Sequence, residues 1–231
     1  MYFIHDKKNK ILYGWSAKSG CSHIKKIIKF LMYNKLNATI HTNDEYGPYE
    51  AVAETIILIV RNPYERLVSG FVDKYTKPGH YINRWRSNTD RARPLTFRYF
   101  VEELVQNRFR AINEHHFTPQ LSEAWSDDIK HHKNVIIYDI KAIDYAYLES
   151  RYGVKIPQEL LDFRGGHENV KCRETNIQAA DTDFYLFPAA QQQPFWQDFY
   201  RDGEIKRQVE EFYAKDFDYF DYFDYLTVCF P

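Results

Sequence analysis

Thr55–Val60, the run Thr-Ile-Ile-Leu-Ile-Val, constrains the fold more than any other stretch of this chain. It has no polar alternation, so neither face suits water, and its β-branched side chains favour an extended backbone. A strand of that kind belongs in the middle of a parallel sheet with helices over both faces. Arg61-Asn62-Pro63 follows at once. Pro63 suits the first turn of a helix, where its missing N–H costs nothing, and Leu67, Val68, Phe71, Val72 and Tyr75 then recur at helical spacing. An earlier segment repeats the plan. Ile11–Trp15 reads as the first strand, Ser16 to Cys21 as a small-residue turn, and 22–33 as a helix with Ile24, Ile27, Ile28 and Leu31 on one face and lysines on the other.

The rest of the chain extends this alternation. A short strand is expected over 38–41, a helix over 97–107, an apolar strand over 134–138, and a helix over 143–152 with Gly153 as its C-cap. Residues 77–95 lack periodicity and read as a loop insertion, and 203–225 reads as a C-terminal helix. Strands alternating with helices predict an α/β fold with a central, mostly parallel β-sheet flanked by helices. With 231 residues, a single domain spanning 1–231 is the simplest organisation. Ligands of such sheets bind beyond the carboxyl ends of the strands, where both turns fall.

Those turns carry matched chemistry. The first N–H groups of a helix lack intrahelical partners, and the dipole favours negative charge there. Each turn adds a cation, Lys18 or Arg61, and each helix a hydroxyl, Ser22 or Ser69. Two such sites in consecutive strand–helix units point to a ligand with phosphates at both ends. The phosphate loop of nucleotide triphosphatases, G-x-x-x-x-G-K-[ST], has its lysine after the second glycine. Here Lys18 precedes Gly20, and no Gly-Lys-Ser or Gly-Lys-Thr occurs, so the fold expected is P-loop-like without that motif.

The order Lys18-Ser19-Gly20-Cys21-Ser22-His23 instead resembles the 5′-phosphosulfate loop of sulfotransferases that use 3′-phosphoadenosine 5′-phosphosulfate (PAPS). It is similar in particular to the K-V-G-C-T-N-W-K-R form of the chondroitin and related carbohydrate O-sulfotransferases. Val60-Arg61-Asn62-Pro63-Tyr64-Glu65-Arg66-Leu67-Val68-Ser69 looks like the same family's 3′-phosphate element, usually V-R-[DE]-P-[FV]-E-R-L-V-S. His116-Phe117-Thr118-Pro119-Gln120 is similar to its H-[WF]-x-P-Q stretch, and the segment ending in Phe220 resembles its closing helix. The paired cysteines that follow this stretch in the luminal enzymes are absent.

The resemblance implies a sulfuryl transfer from PAPS to an acceptor hydroxyl, leaving 3′-phosphoadenosine 5′-phosphate (PAP), with no metal required. It implies that Lys18 stabilises the bridging oxygen. The Ser19, Gly20, Cys21, Ser22 and His23 segment, with the Ser22 hydroxyl, would cradle the 5′-phosphate, and Arg61 and Ser69 would hold the 3′-phosphate. The acceptor needs a general base. His41 is the first candidate, because heparan sulfotransferases place their catalytic histidine between the two cofactor elements; the alternative for it is a strand-end histidine bonded to backbone. His116 is the second, and Glu45 and Glu50 are outside candidates. Arg66 is expected to form a structural ion pair, with Glu65 or Glu102. The segment 164–171 reads either as a loop closing over the adenine and 3′-phosphate or as a plain glycine turn.

Charge and composition narrow the partners. Lys74, Lys77, Arg84, Arg86, Arg91, Arg93 and Arg98 stand against a single acid, Asp90, and read as a solvated surface or as a groove for an anionic glycan acceptor. The net charge of −1 and the lack of a recognition motif argue against nucleic acid. Aromatic residues make up 17% of the chain and belong mostly to the core. The 3 cysteines have no metal-like spacing, and Cys21 reads as a small packed side chain rather than a nucleophile. The polar, lysine-rich start has no apolar stretch of anchor length, which predicts a soluble, cytoplasmic protein without a membrane anchor. Two other readings stay open: a nucleotide phosphotransferase, which would need magnesium ligands and bind ATP, and a non-catalytic PAP- or glycan-binding module of the same fold.

Overall fold

A computed structural model of the chain describes residues 1–36, 53–75, 93–106, 116–121, 129, 131–163, 172–173, 178–183 and 193–222. The chain divides into two compact units. The first comprises Met1–Arg61, Gln120–Asn169 and Tyr219–Pro231, and the second Asn62–Pro119 and Val170–Asp218.

The first unit is built on a four-stranded sheet with β1 (Tyr2–Asp6), β2 (Ile11–Trp15), β3 (Thr55–Val60) and β4 (Val135–Asp139) side by side in that order. β2, β3 and β4 run parallel, with Ile59 of β3 opposite Trp15 on one side and Tyr138 on the other. The sheet is therefore α/β and mostly parallel, as the apolar run predicts. Every residue of β3 is buried. Its alternate side chains feed two cores: Ile57 and Ile59 pack with Ile24, Ile27, Ile28 and Leu31 of α1 (Cys21–Tyr33). Ile56, Leu58 and Val60 pack with Leu12, Leu121 and Ile129 on the other face. Period-two alternation into two apolar layers is why the strand carries no polar residue after Thr55.

β1 departs from the expectation that Ile11–Trp15 is the first strand. It pairs antiparallel with β2, and the lysines Lys7, Lys8 and Lys10 belong to the hairpin turn. Asp6 closes that turn by accepting the N–H groups of Lys8 and Asn9, both at 3.1 Å. Its other oxygen accepts from the Tyr152 hydroxyl at 2.5 Å, and Tyr152 in turn accepts from Tyr13 at 3.0 Å. Burial pushes the Asp6 carboxyl up, but these donors and the Asn9 side chain hold it below the usual carboxylate range. The relay ties α4 (Tyr145–Tyr152) to the hairpin. Asp144 caps the start of α4, and Gly153 ends it in the left-handed conformation at φ +65°. The short helix α5 (Gln158–Leu161) packs with α1.

The second unit is helical and aromatic. α2 (Pro63–Tyr75) and α3 (Phe97–Gln106) pack Phe71, Tyr75, Phe97 and Phe100 with Phe117, at ring separations such as 5.1 Å for Phe71–Phe100 and 5.0 Å for Phe100–Phe117. The core reading of the aromatic excess holds for these rings. α6 (Gly203–Phe212) and α7 (Ala214–Tyr222) replace the single C-terminal helix expected over 203–225. The break falls at Tyr213, whose buried hydroxyl donates to the Phe117 carbonyl at 2.7 Å; anchoring that ring inward stops the helix. Arg66, 1% exposed, donates to the Thr118 carbonyl at 2.9 Å. Glu102, one of its two expected partners, pairs with Arg93 instead. No helix among the described residues is long and apolar enough to cross a membrane.

Candidate functional site

The site forms where β2 gives way to α1. Ser19 N–H donates to the Ser16 carbonyl at 3.1 Å, which folds Ser16 to Ser19 into a turn. Lys18 (φ +69°) and Gly20 (φ +66°) both lie in the left-handed region. Such residues swing successive N–H groups toward one concavity, an arrangement that suits anions. Gly20 is the N-cap, and no side chain caps it. The first intrahelical bond runs from Ile24 N–H to the Gly20 carbonyl at 3.0 Å, so the N–H groups of Cys21, Ser22 and His23 precede the ladder. No acid stands in the first turn of α1. The positive end of the helix dipole therefore meets no carboxylate of its own turn.

Arg61, the first residue beyond β3, reaches this loop. Its Nη1 donates to the Lys18 carbonyl at 3.1 Å, so the Arg61 guanidinium meets the Lys18 main chain at the carboxyl ends of adjacent parallel strands. Behind them lies Gln120, 0% exposed. Its Oε1 lies 3.1 Å from both Ser16 Oγ and Ser19 Oγ, one of which donates to it, and accepts from Arg61 N–H at 3.0 Å. Its Nε2 donates to the Arg61 carbonyl at 2.8 Å.

The structure places the expected residues unequally. Ser19 is fully buried, with its N–H taken by Ser16 and its hydroxyl by Ser16 and Gln120, so it supports the turn. Both ring nitrogens of His23 are engaged, Nδ1 with the Phe163 carbonyl at 2.9 Å and Nε2 with the Tyr145 hydroxyl at 2.8 Å, which leaves its backbone as the part directed to the helix start. Ser22 is half-buried, and Cys21 is a half-buried free thiol. Lys26 lies 3.5 Å above the Phe163 ring, and Lys25 is 5.5 Å from that of Trp15.

The second helix start differs from the expectation of two open N-termini. Asn62 Oδ1 accepts from the N–H groups of Tyr64 at 2.8 Å and Glu65 at 3.3 Å, so α2 is capped by its own chain. Asparagine is among the best N-caps, which is why this position closes while Gly20 leaves α1 open. Ser69 is half-buried on α2, and His116 is half-buried ahead of Phe117. His41, Glu45, Glu50 and the segment 164–171 lie outside the described residues, as does most of the basic stretch. Its described members are ion-paired: Lys74 with Asp73, Arg93 with Glu102, and Arg98 with both Asp181 and Asp202. Among the described residues, no group of three or more His, Cys, Asp or Glu side chains is arranged to hold a metal ion.

Gln120 is the residue that sequence reasoning missed. It ends the matched His116-to-Gln120 stretch, but no periodicity links it to Ser16 or Arg61; only the fold brings these together.

The profile of the sulfotransferase family matches residues 1–223, and the chain belongs to that family. Among characterised proteins it is similar to carbohydrate sulfotransferase 8 of mouse and of human, in each case at 29% identity over 38% of this chain and 27% of the relative. The match thus spans about a quarter of the length of those relatives. No solved structure matches the chain significantly.

Proposed function

We propose that this protein transfers a sulfuryl group from PAPS to an acceptor hydroxyl, that of a carbohydrate, by in-line displacement. The observation that carries the reading is the bond from Arg61 Nη1 to the Lys18 carbonyl. It sets the Arg61 guanidinium on the main chain of the Lys18 loop, beside a helix N-terminus that has neither a capping side chain nor an acid in its first turn. That donor set suits a ligand with several phosphate charges.

When bound, PAPS supplies a sulfuryl group already activated by a phosphate leaving group. The protein's own part is positioning and charge stabilisation. The N–H groups of Cys21, Ser22 and His23 and the Ser22 hydroxyl hold the 5′-phosphate. The Lys18 ammonium balances the negative charge that grows there as the acceptor attacks. Arg61 and Ser69 hold the 3′-phosphate. His41 takes the proton of the acceptor hydroxyl, with His116 as the second candidate. The acceptor class is drawn from the family resemblance and from the names of the similar carbohydrate sulfotransferases.

Calorimetric titration with PAP, with ATP plus magnesium as control, tests the reading. The expected result is PAP binding that Arg61→Ala weakens by at least about tenfold, as loss of a charge-assisted contact implies, and no response to ATP. ATP binding without PAP binding supports a phosphotransferase, and PAP binding without transfer to any hydroxyl acceptor supports a binding module. In the active enzyme, turnover is expected to fall about 10²–10⁴-fold in His41→Ala. Unchanged turnover there, with His116→Ala inactive, moves the base to His116.

A further inference from the structure

We infer that Gln120 is a positioning residue for the donor site: its amide fixes the Arg61 main chain against the Ser16–Ser19 turn and so aims the Arg61 guanidinium. The inference rests on the reading of this site as the donor site.

β3 ends at Val60, whose carbonyl accepts from Ile140 N–H at 3.0 Å. Arg61 is the next residue, and Gln120 gives it what a neighbouring strand would, accepting its N–H and donating to its C=O. Only a primary amide offers both groups at that spacing. Ser16 and Ser19 share one hydrogen bond at 2.7 Å, which leaves a single hydroxyl proton to donate to Gln120 Oε1. Arg61 N–H donates to the same oxygen. A buried amide satisfied in this way holds one geometry, since every alternative leaves a buried polar group unpaired. Gln120 is 0% exposed, so it reaches a ligand only through Arg61 and the turn. The Arg61 guanidinium closes the circuit on the Lys18 carbonyl.

The test is a double-mutant cycle on PAP affinity, with thermal unfolding as the folding control. Gln120→Met keeps the volume and removes every bond. It is expected to weaken PAP binding by about 10- to 100-fold in the otherwise native protein, the effect of unpairing buried donors and acceptors. In an Arg61→Ala background the same change is expected to cost no more than about twofold, because the group it aims is gone. Gln120→Glu keeps the accepting oxygen, so it serves where Gln120→Met does not fold. It still weakens PAP binding, since it cannot donate to the Arg61 carbonyl and sets a carboxylate behind an anion site. A folded variant that binds PAP as the wild type does overturns the inference. So does an equal loss with and without Arg61, which means Gln120 is structural only. A wild-type protein that does not bind PAP at all instead overturns the donor-site reading beneath it.

Discussion

Lys18→Ala is expected to lower kcat for sulfuryl transfer by about 10²–10³-fold, the usual cost of removing one group aimed at developing charge in a site of this kind. The structure separates this effect from damage to the loop. The loop draws from residue 18 a left-handed backbone at φ +69° and a carbonyl for Arg61 Nη1, and alanine supplies the carbonyl as well as lysine does. Both residues carry the same penalty for the left-handed conformation, about 1–2 kcal/mol, so the exchange leaves it unchanged. The melting temperature of Lys18→Ala should therefore stay close to that of the wild type. Lys18→Gly is the sharper control. Glycine relieves the backbone penalty, so this variant is expected to be at least as stable as the wild type and as inactive as Lys18→Ala. Steady-state kinetics with PAPS and a thermal melt of each variant decide the matter. Transfer that survives in both, with stability intact, would falsify the role given to the ammonium.

The sheet was legible because burial on both faces leaves a plain mark. Thr55–Val60 has to be apolar throughout to feed two cores, and the turn after it has to end at Pro63. The turn from β2 into α1 was legible for a similar reason: its residues are contiguous, and a glycine among small polar side chains after an apolar strand serves a local purpose. Two kinds of feature escaped. β1 lies at the sheet edge with two of its five side chains only half-buried, so its pattern is diluted, and the lysines of the hairpin turn disguise it. Gln120 and Arg66 draw their roles from main-chain groups far away in sequence, and a carbonyl has no residue type to read. The capping of α2 by Asn62 lies between these cases. Asparagine before Pro63 is a local cap signal, but the family resemblance pointed to an acid at that place and drew the reading toward the ligand.

Gly20→Ala is expected to weaken PAP binding by at least about tenfold and to lower the melting temperature by several degrees, because two separate costs fall on one methyl group. The first is conformational. Gly20 sits at φ +66°, where an L-residue pays about 1–2 kcal/mol. The second is steric. A Cβ at this position would lie 2.4 Å from Ile140 Cδ1 and 2.6 Å from Ile140 Cγ1, and Ile140 packs with the core beneath α1. Either Ile140 turns out of that core or the start of α1 moves off it. The second response carries Cys21, Ser22 and His23 with it and misdirects the N–H groups assigned to the 5′-phosphate. Companion variants tell the two costs apart. Gly20→Asn tolerates the left-handed backbone better than alanine does but brings the same Cβ, so the steric argument predicts that it binds PAP little better than Gly20→Ala. Adding Ile140→Ala to Gly20→Ala opens the space, and PAP affinity should recover although stability falls further through the lost packing. Recovery in the double variant ties ligand affinity to where the first turn of α1 sits on Ile140. If Gly20→Ala alone binds PAP as the wild type does, the helix start is not the anion site, and the 5′-phosphate must be held by side chains alone.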